Sequence, residues 1–347
     1  MKEKPGRKFS LRHWPLVACL ALVAALLVLA LAQQYLHRPL ATLADERVFE
    51  IEVGTPLTRL SRDLADEGIV EYPGLFNMLA RLRGFEQEIR HGVYELPAGA
   101  SPAELLNLFV SGRTRQFRLT LIEGWTFAQA LSEIQGSEGI EPHLRDLTPE
   151  AVAEAMDLDV AVPEGMIFPD TYFYAAGDTD LQILLRANAR LREILDLEWE
   201  SRSEDLSLDS PYQALILASI VEKEAAGSEQ RGLIAGVFLR RLEMNMRLQS
   251  DPTVIYGLGS RFDGDLRAAD LDETTPYNTY RINGLPPTPI ALAGLESIRA
   301  SLRPTASDYL YFVGTNDGNH YFSETLEEHN AAVNCYQRGR EETDCAL

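Results

Sequence analysis

The spacing of apolar and polar positions changes several times along this chain. Residues 14 to 32, WPLVACLALVAALLVLALA, have no polar rhythm at all: nineteen residues without a charge. At about 1.5 Å per helical residue, such a run comes close to the roughly 30 Å hydrocarbon thickness of a bilayer. Residues 33 to 46 are more polar and read as a short linker. RVFEIEVGTPLTRLSRDLADEGIV then predicts a strand, a Gly-Thr-Pro turn and an amphipathic helix with Leu57, Leu60 and Leu64 on one face. Pro56 suits the first helical position. A second helix, over about Pro73 to Arg83, leads to HGVYELPAGAS, another strand. SPAELLNLFVSG opens a further helix, with Ser101 as cap, Pro102 behind it and Glu104 at the third position. Residues 47–115 are thus a small β-α-α-β unit with an added helix.

From Phe117 the rhythm changes. FRLTLIEGWTF predicts a strand that breaks at Gly124, then a helix from about Thr126. An acidic, helix-prone middle follows. PEGMIFPDTYFY, residues 163 to 174, interrupts it with prolines and aromatics that suggest a packed loop. SPYQALILASIVEKEAAG reads as a helix capped by Ser210, with Pro211 at its first position and Gly227 ending it. A helix from about Glu229 to Met244 comes next. YLYFV and HYFS flank a Gly/Asn/Asp turn and predict a hairpin, and Thr325 with Glu328 forms a capping box for a last helix. The pattern is α+β, without internal repeats.

Charge sets the surroundings. The net charge is −20; residues 1–13 hold five basic residues against Glu3, so they carry +4 and the rest −24. So acidic a body repels phosphate backbones, which argues against nucleic acid as a partner. The basic flank places the N-terminus in the cytoplasm by the positive-inside rule, with everything after Gln33 across the membrane. A cleaved signal peptide is the alternative, since Ala30-Leu31-Ala32 is an A-x-A-like site; the apolar run is longer than usual for one. Cys19 lies inside the span. Cys335 and Cys345 either close a small loop in an oxidising compartment or remain two surface thiols.

ASIVEKEA, residues 218 to 225, puts Glu222 and Glu224 in an apolar helix. At about 100° per residue the two face nearly opposite ways. Leu217, Ile220 and Val221 share the face of Glu224, so that carboxyl continues the most apolar stripe. Desolvation and the negative end of the helix dipole both favour its protonated form. A carboxyl that keeps its proton near neutral pH can be a general acid. Alternatively, Glu224 leaves a frayed helix end and pairs with an arginine such as Arg231. Glu222 suits a structural role, bonding backbone amides of a neighbouring loop. Further on, MRLQSDPTVIYGLG and TPYNTYRINGLPPTPI supply Gln249, Ser250, Asp251, Tyr277, Asn278, Thr279 and Tyr280. Neutral hydrogen-bonding groups and flat apolar rings suit a sugar chain, although capped turns with polar surfaces explain the composition equally well.

ASIVEKE, RLQSDPTVIYGLG, TPYNTYRINGLPPTPI and SDYLYFV…HYFSETLEEHN, in that order, resemble the endolytic murein transglycosylase family (MltG, or YceG-like). With the N-terminal span the resemblance covers essentially the whole chain. It implies an N-terminal transmembrane anchor, a LysM-like module over 47–115 and a catalytic domain over 116–347. It also implies an enzyme at the bacterial inner membrane with a periplasmic body, working near penicillin-binding proteins on nascent peptidoglycan and using no cofactor. The family's catalytic glutamate falls on Glu224. There it would protonate the MurNAc–GlcNAc oxygen and then accept the proton of the sugar's 6-hydroxyl, leaving a 1,6-anhydro-MurNAc end and limiting strand elongation. The segments at Gln249–Asp251 and Tyr277–Tyr280 would hold the strand.

Two rivals are open: a hydrolase using Asp251 as second carboxylate, and a non-enzymatic wall-binding scaffold. Other chemistries lack signals. The sequence has no HExxH, and His320 and His329 lack a third ligand. Gly257-Leu258-Gly259 is not completed to GxGxxG, because Phe262 stands in the last glycine position, and no GxSxG elbow exists.

Overall fold

The structure is a computed structural model that describes residues 14–225, 227–315 and 317–338; the basic segment 1–13 and Cys345 lie outside them. The fold is mixed α+β, in two compact units, Met1–Gln116 and Phe117–Leu347.

In the first unit, α1 (Trp14–His37) is followed by β1 (Arg47–Ile51), α2 (Leu57–Asp66), α3 (Pro73–Leu82), β2 (Gly92–Leu96) and α4 (Pro102–Ser111). Within α1, residues Leu16–His37 are long and apolar enough to cross a membrane. The helix runs through the start of the expected linker. Leu36 packs on Leu79 and Ala103, and Leu40 and Leu43 enter the core beside Phe49 and Leu60. These leucines recur at i, i+4 and i+7, a core-facing spacing hidden among polar neighbours. β1 and β2 pair antiparallel, Phe49 opposite Tyr94. Leu57, Leu60 and Leu64 of α2 are buried, with Pro56 at the cap position, one residue before its expected place. At α4, Ser101 and Glu104 form the reciprocal capping box, Glu104 accepting the Ser101 N–H at 2.7 Å.

The second unit runs β3 (Gln116–Thr120), α5 (Phe127–Gly136), α6 (Pro149–Ala155), β4 (Thr171–Ala175), α7 (Asp180–Glu200), α8 (Pro211–Glu224), α9 (Arg231–Glu243), α10 (Asp251–Leu258), α11 (Ala268–Asp272), α12 (Leu295–Leu302), β5 (Tyr311–Gly314), β6 (His320–Ser323) and α13 (Leu326–Tyr336). Its centre is α8. Every residue from Ala214 to Val221 is buried, so the helix is apolar all round and has no single greasy stripe. α9 and α12 pack against it, contributing Ile234, Phe238 and Ile298 to one core.

Several boundaries differ from expectation. β3 stops at Thr120, short of Gly124. The end of PEGMIFPDTYFY is strand β4, paired with β3; only its first part is the packed loop. α8 ends at Glu224, and Gly227, at φ −146°, is extended instead of forming a left-handed cap. A single turn over Ser228–Gln230 precedes α9. Asp251-Pro252 starts a helix, α10, within what reads as a polar loop. The hairpin is present, with Phe312 opposite Phe322, and Thr325 and Glu328 cap α13. Cys335 is disulfide-bonded.

One glycine joins two motifs. Gly165 has φ +72°, and a Cβ there would stand 2.4 Å from Cβ of Pro289. Both the left-handed backbone and the contact with a rigid ring exclude a side chain. Gly165→Ala is therefore expected to destabilise the second unit by about 2 kcal/mol or more, read by urea or thermal unfolding.

Candidate functional site

The site forms where the end of α8 meets the start of α10. Glu224 is the last residue of α8. Ser250 occupies the cap position of α10 but makes no side-chain cap bond there. A serine at such a position ordinarily accepts a backbone N–H of the first turn. Here its hydroxyl instead donates to Oε1 of Glu224 at 2.5 Å. The backbone that aims it is held from the next loop. Gln249 is left-handed, φ 53°, and its N–H donates to the Thr279 carbonyl at 3.2 Å. The Ser250 N–H donates to the Thr279 hydroxyl at 2.9 Å, which also pairs with Thr253 at 2.8 Å. Among the described residues, Oε2 of Glu224 has no hydrogen-bond partner.

Glu224, Gln249, Asp251 and Tyr280 line one cleft of about 460 Å³. Its opposite wall comes from the hairpin and α13, through Tyr311, His320 and His329, with Arg241 of α9 also lining it. The Tyr280 hydroxyl donates to Asp251 at 2.6 Å. Desolvation is the largest influence on the Glu224 carboxyl and raises its pKa. The Ser250 hydroxyl opposes that, Asp251 adds to it and Arg241 opposes it, and the balance leaves the group at about 7. Such a carboxyl exists in both forms near neutral pH, so it can give a proton and take one back.

The other sequence candidates divide. Thr279 and Asn278 are fully buried and committed to the backbone: Asn278 donates to carbonyls of Asp270, Leu271 and Glu273 and accepts from Tyr280 N–H. They shape the loop and do not line the cleft. Tyr277 faces a different cavity, its hydroxyl 2.9 Å from that of Thr288 and its ring against Tyr256. Glu222 has taken the contacts considered for either glutamate. Its side chain, 6% exposed, accepts from Arg231 at 2.9 Å and from the Gly294 N–H at 3.0 Å. Arg231 is thus the partner of Glu222 and not of Glu224.

Two features escaped the sequence reading. The far wall comes from Tyr311, His320 and His329, 87 to 105 positions beyond Glu224; the hairpin is local, but its place at the cleft has no local signal. Glu164, inside PEGMIFPDTY, is a second buried carboxyl, raised to about 7 chiefly by desolvation. It accepts from Phe127 N–H at 2.9 Å and the Tyr256 hydroxyl at 3.1 Å, and lines the cavity that Tyr277 faces. A glutamate between proline and glycine in an apolar loop was the available clue. Among the described residues, no three His, Cys, Asp or Glu side chains converge as a metal site.

The pKa of Glu224 has a consequence for stability. With a folded pKa of about 7 against an ordinary 4.5, the folded state holds a proton that the unfolded chain releases. That contribution is complete below the unfolded value and disappears as pH rises through the folded one. Glu224→Gln removes it, so the variant should gain stability relative to the parent by on the order of 2 to 3 kcal/mol between acid and neutral pH. Parallel denaturant titrations at several pH values measure this; equal slopes would contradict it.

The sequence profile of the YceG-like family matches residues 49–335, spanning both units. The chain is 29% identical over 309 residues to an endolytic murein transglycosylase of Bacillus subtilis, covering 84% of this chain and 85% of the relative. It is 30% identical over 317 residues to an endolytic murein transglycosylase of Streptococcus pneumoniae, covering 82% of this chain and 57% of that longer relative. A crystal structure of a YceG-like protein from Listeria monocytogenes aligns with TM-score 0.51 and 30% identity, over 82% of this chain and 98% of the other. With the profile and these relatives in agreement over both units, the chain belongs to the YceG-like family.

Proposed function

We propose that this chain is a peptidoglycan lytic transglycosylase that cuts the MurNAc–GlcNAc bond within glycan strands. Glu224 is its general acid and then its general base. The proton leaves Glu224 for the bridging oxygen as the bond from C1 breaks. The carboxylate so formed takes the proton of the 6-hydroxyl of the same MurNAc, whose oxygen closes onto C1. A 1,6-anhydro-MurNAc end results, and Glu224 is protonated again. Because the substrate supplies the nucleophile, one carboxyl suffices, unlike glycosidases that place two across the bond. The observation that carries this reading is the desolvated Glu224 carboxyl, held at Oε1 by Ser250 and with Oε2 unengaged among the described residues, on a cleft edged by Gln249, Asp251 and Tyr280.

α1 anchors the chain in the bacterial inner membrane with its basic end in the cytoplasm, so the body works in the periplasm, beside penicillin-binding proteins, on new strands. The β1–α2–α3–β2 arrangement supports a LysM-like reading of the small unit. The apolar length of α1 supports the anchor.

The full chain in detergent, incubated with uncrosslinked glycan strands, is expected to yield internal fragments with anhydro ends by mass spectrometry. Glu224→Gln is expected to lower that yield by about 100-fold or more with an unchanged fold. Reducing MurNAc ends would instead indicate hydrolysis, and undiminished cleavage by the variant would remove Glu224 from the chemistry.

A further inference from the structure

Arg241, in the last turn of α9, is 6% exposed. Its Nε donates to the Leu310 carbonyl and its Nη1 to the Leu248 carbonyl, each at 2.7 Å. The guanidinium lies 5.1 Å from the centre of the Tyr311 ring. Among the described residues it forms no ion pair, and its Nη2 makes no hydrogen bond. A buried cation offset only by carbonyl dipoles and a ring face is costly to keep. The missing negative charge is the one the reaction creates, because Glu224, on the same cleft, becomes a carboxylate when it hands over its proton.

We propose that Arg241 is a positioning residue that serves as the counter-charge for ionised Glu224 between the two proton transfers. This rests on the reading of Glu224 as the acid. The other groups around Glu224 do not fill that role. On α8 itself, Lys223 donates to the Gly124 carbonyl at 3.2 Å, and Glu222 is paired with Arg231. From the start of α10 come the neutral Ser250 hydroxyl and the like-charged Asp251, which accepts from Tyr280. From the hairpin and α13 come Tyr311, His320 and His329. Burial lowers the pKa of both imidazoles, and Arg241 lowers that of His329 further, so both are neutral at neutral pH. Among the described residues, Arg241 is therefore the permanent cation that lines this cleft.

The test uses the full chain in detergent, with two readouts. In the first, kcat and KM are followed against pH for Arg241→Gln and Arg241→Lys. The Gln variant should lose about tenfold in kcat with KM changed less than twofold, and the alkaline limb of its profile should move up by about one pH unit. The Lys variant should restore the limb to near the parent position. Equal losses in both variants without movement of the limb would mean a structural role only and would overturn the proposal. The second readout needs no change at Arg241, so it decides the matter if the Gln variant does not fold. The guanidinium resonances of Arg241 should titrate with Glu224 in the parent and lose that step in Glu224→Gln; an identical response in both overturns it. Retained cleavage by Glu224→Gln would defeat the underlying reading, whereas lost cleavage with an uncoupled Arg241 would defeat this inference alone.

Discussion

A hydroxyl that should cap one helix is spent on a carboxyl at the end of another. The 2.5 Å bond from Ser250 to Glu224 ties the start of α10 to the end of α8. It is possible only because Thr279 supplies a carbonyl and a hydroxyl to the backbone at Gln249 and Ser250. Left to local preference, Ser250 would satisfy its own helix. A local rule broken with a visible compensation elsewhere is the mark of a site under functional constraint.

The fold supplies the rest of the environment in the same economical way. α8 is buried from Ala214 to Val221, so the turn that carries Glu224 leaves directly from the core of the second unit. Desolvation then follows from position, and the helix dipole acts in the same direction. Glu222 shows that burial alone does not decide chemistry. It is the more fully satisfied carboxyl, with an arginine and a backbone N–H, and is committed to holding α8 against α9 and the start of α12. Among the described residues, Glu224 has a single neutral donor and an unengaged second oxygen.

Local signals were legible at several helix starts. The capping boxes at Ser101 and Thr325 satisfy backbone groups within four residues, and each helix starts where its cap stands. The difference between Glu224 and Glu222 was less legible: α8 has no polar face to contrast with an apolar one, and what separates the two carboxyls is Arg231 and Gly294, both outside the helix. Asn278, Thr279 and Tyr277 looked like cleft residues by composition. Their side chains were instead drawn to carbonyls, a hydroxyl and a neighbouring ring that only tertiary folding brings near. Leu40 and Leu43 were hidden in a polar stretch for the converse reason, since two leucines are enough when a core is waiting. Arg241 looks like an ordinary cation in the last turn of a helix, and nothing in its neighbours marks it as buried.

The central claim is that the carboxyl of Glu224 holds its proton near neutral pH because its surroundings are dry. The most direct measurement is a ¹³C NMR titration of that one carboxyl in the folded chain without substrate. The account predicts a midpoint near 7. A midpoint near 4.5, the value of an ordinary solvated glutamate, would contradict it.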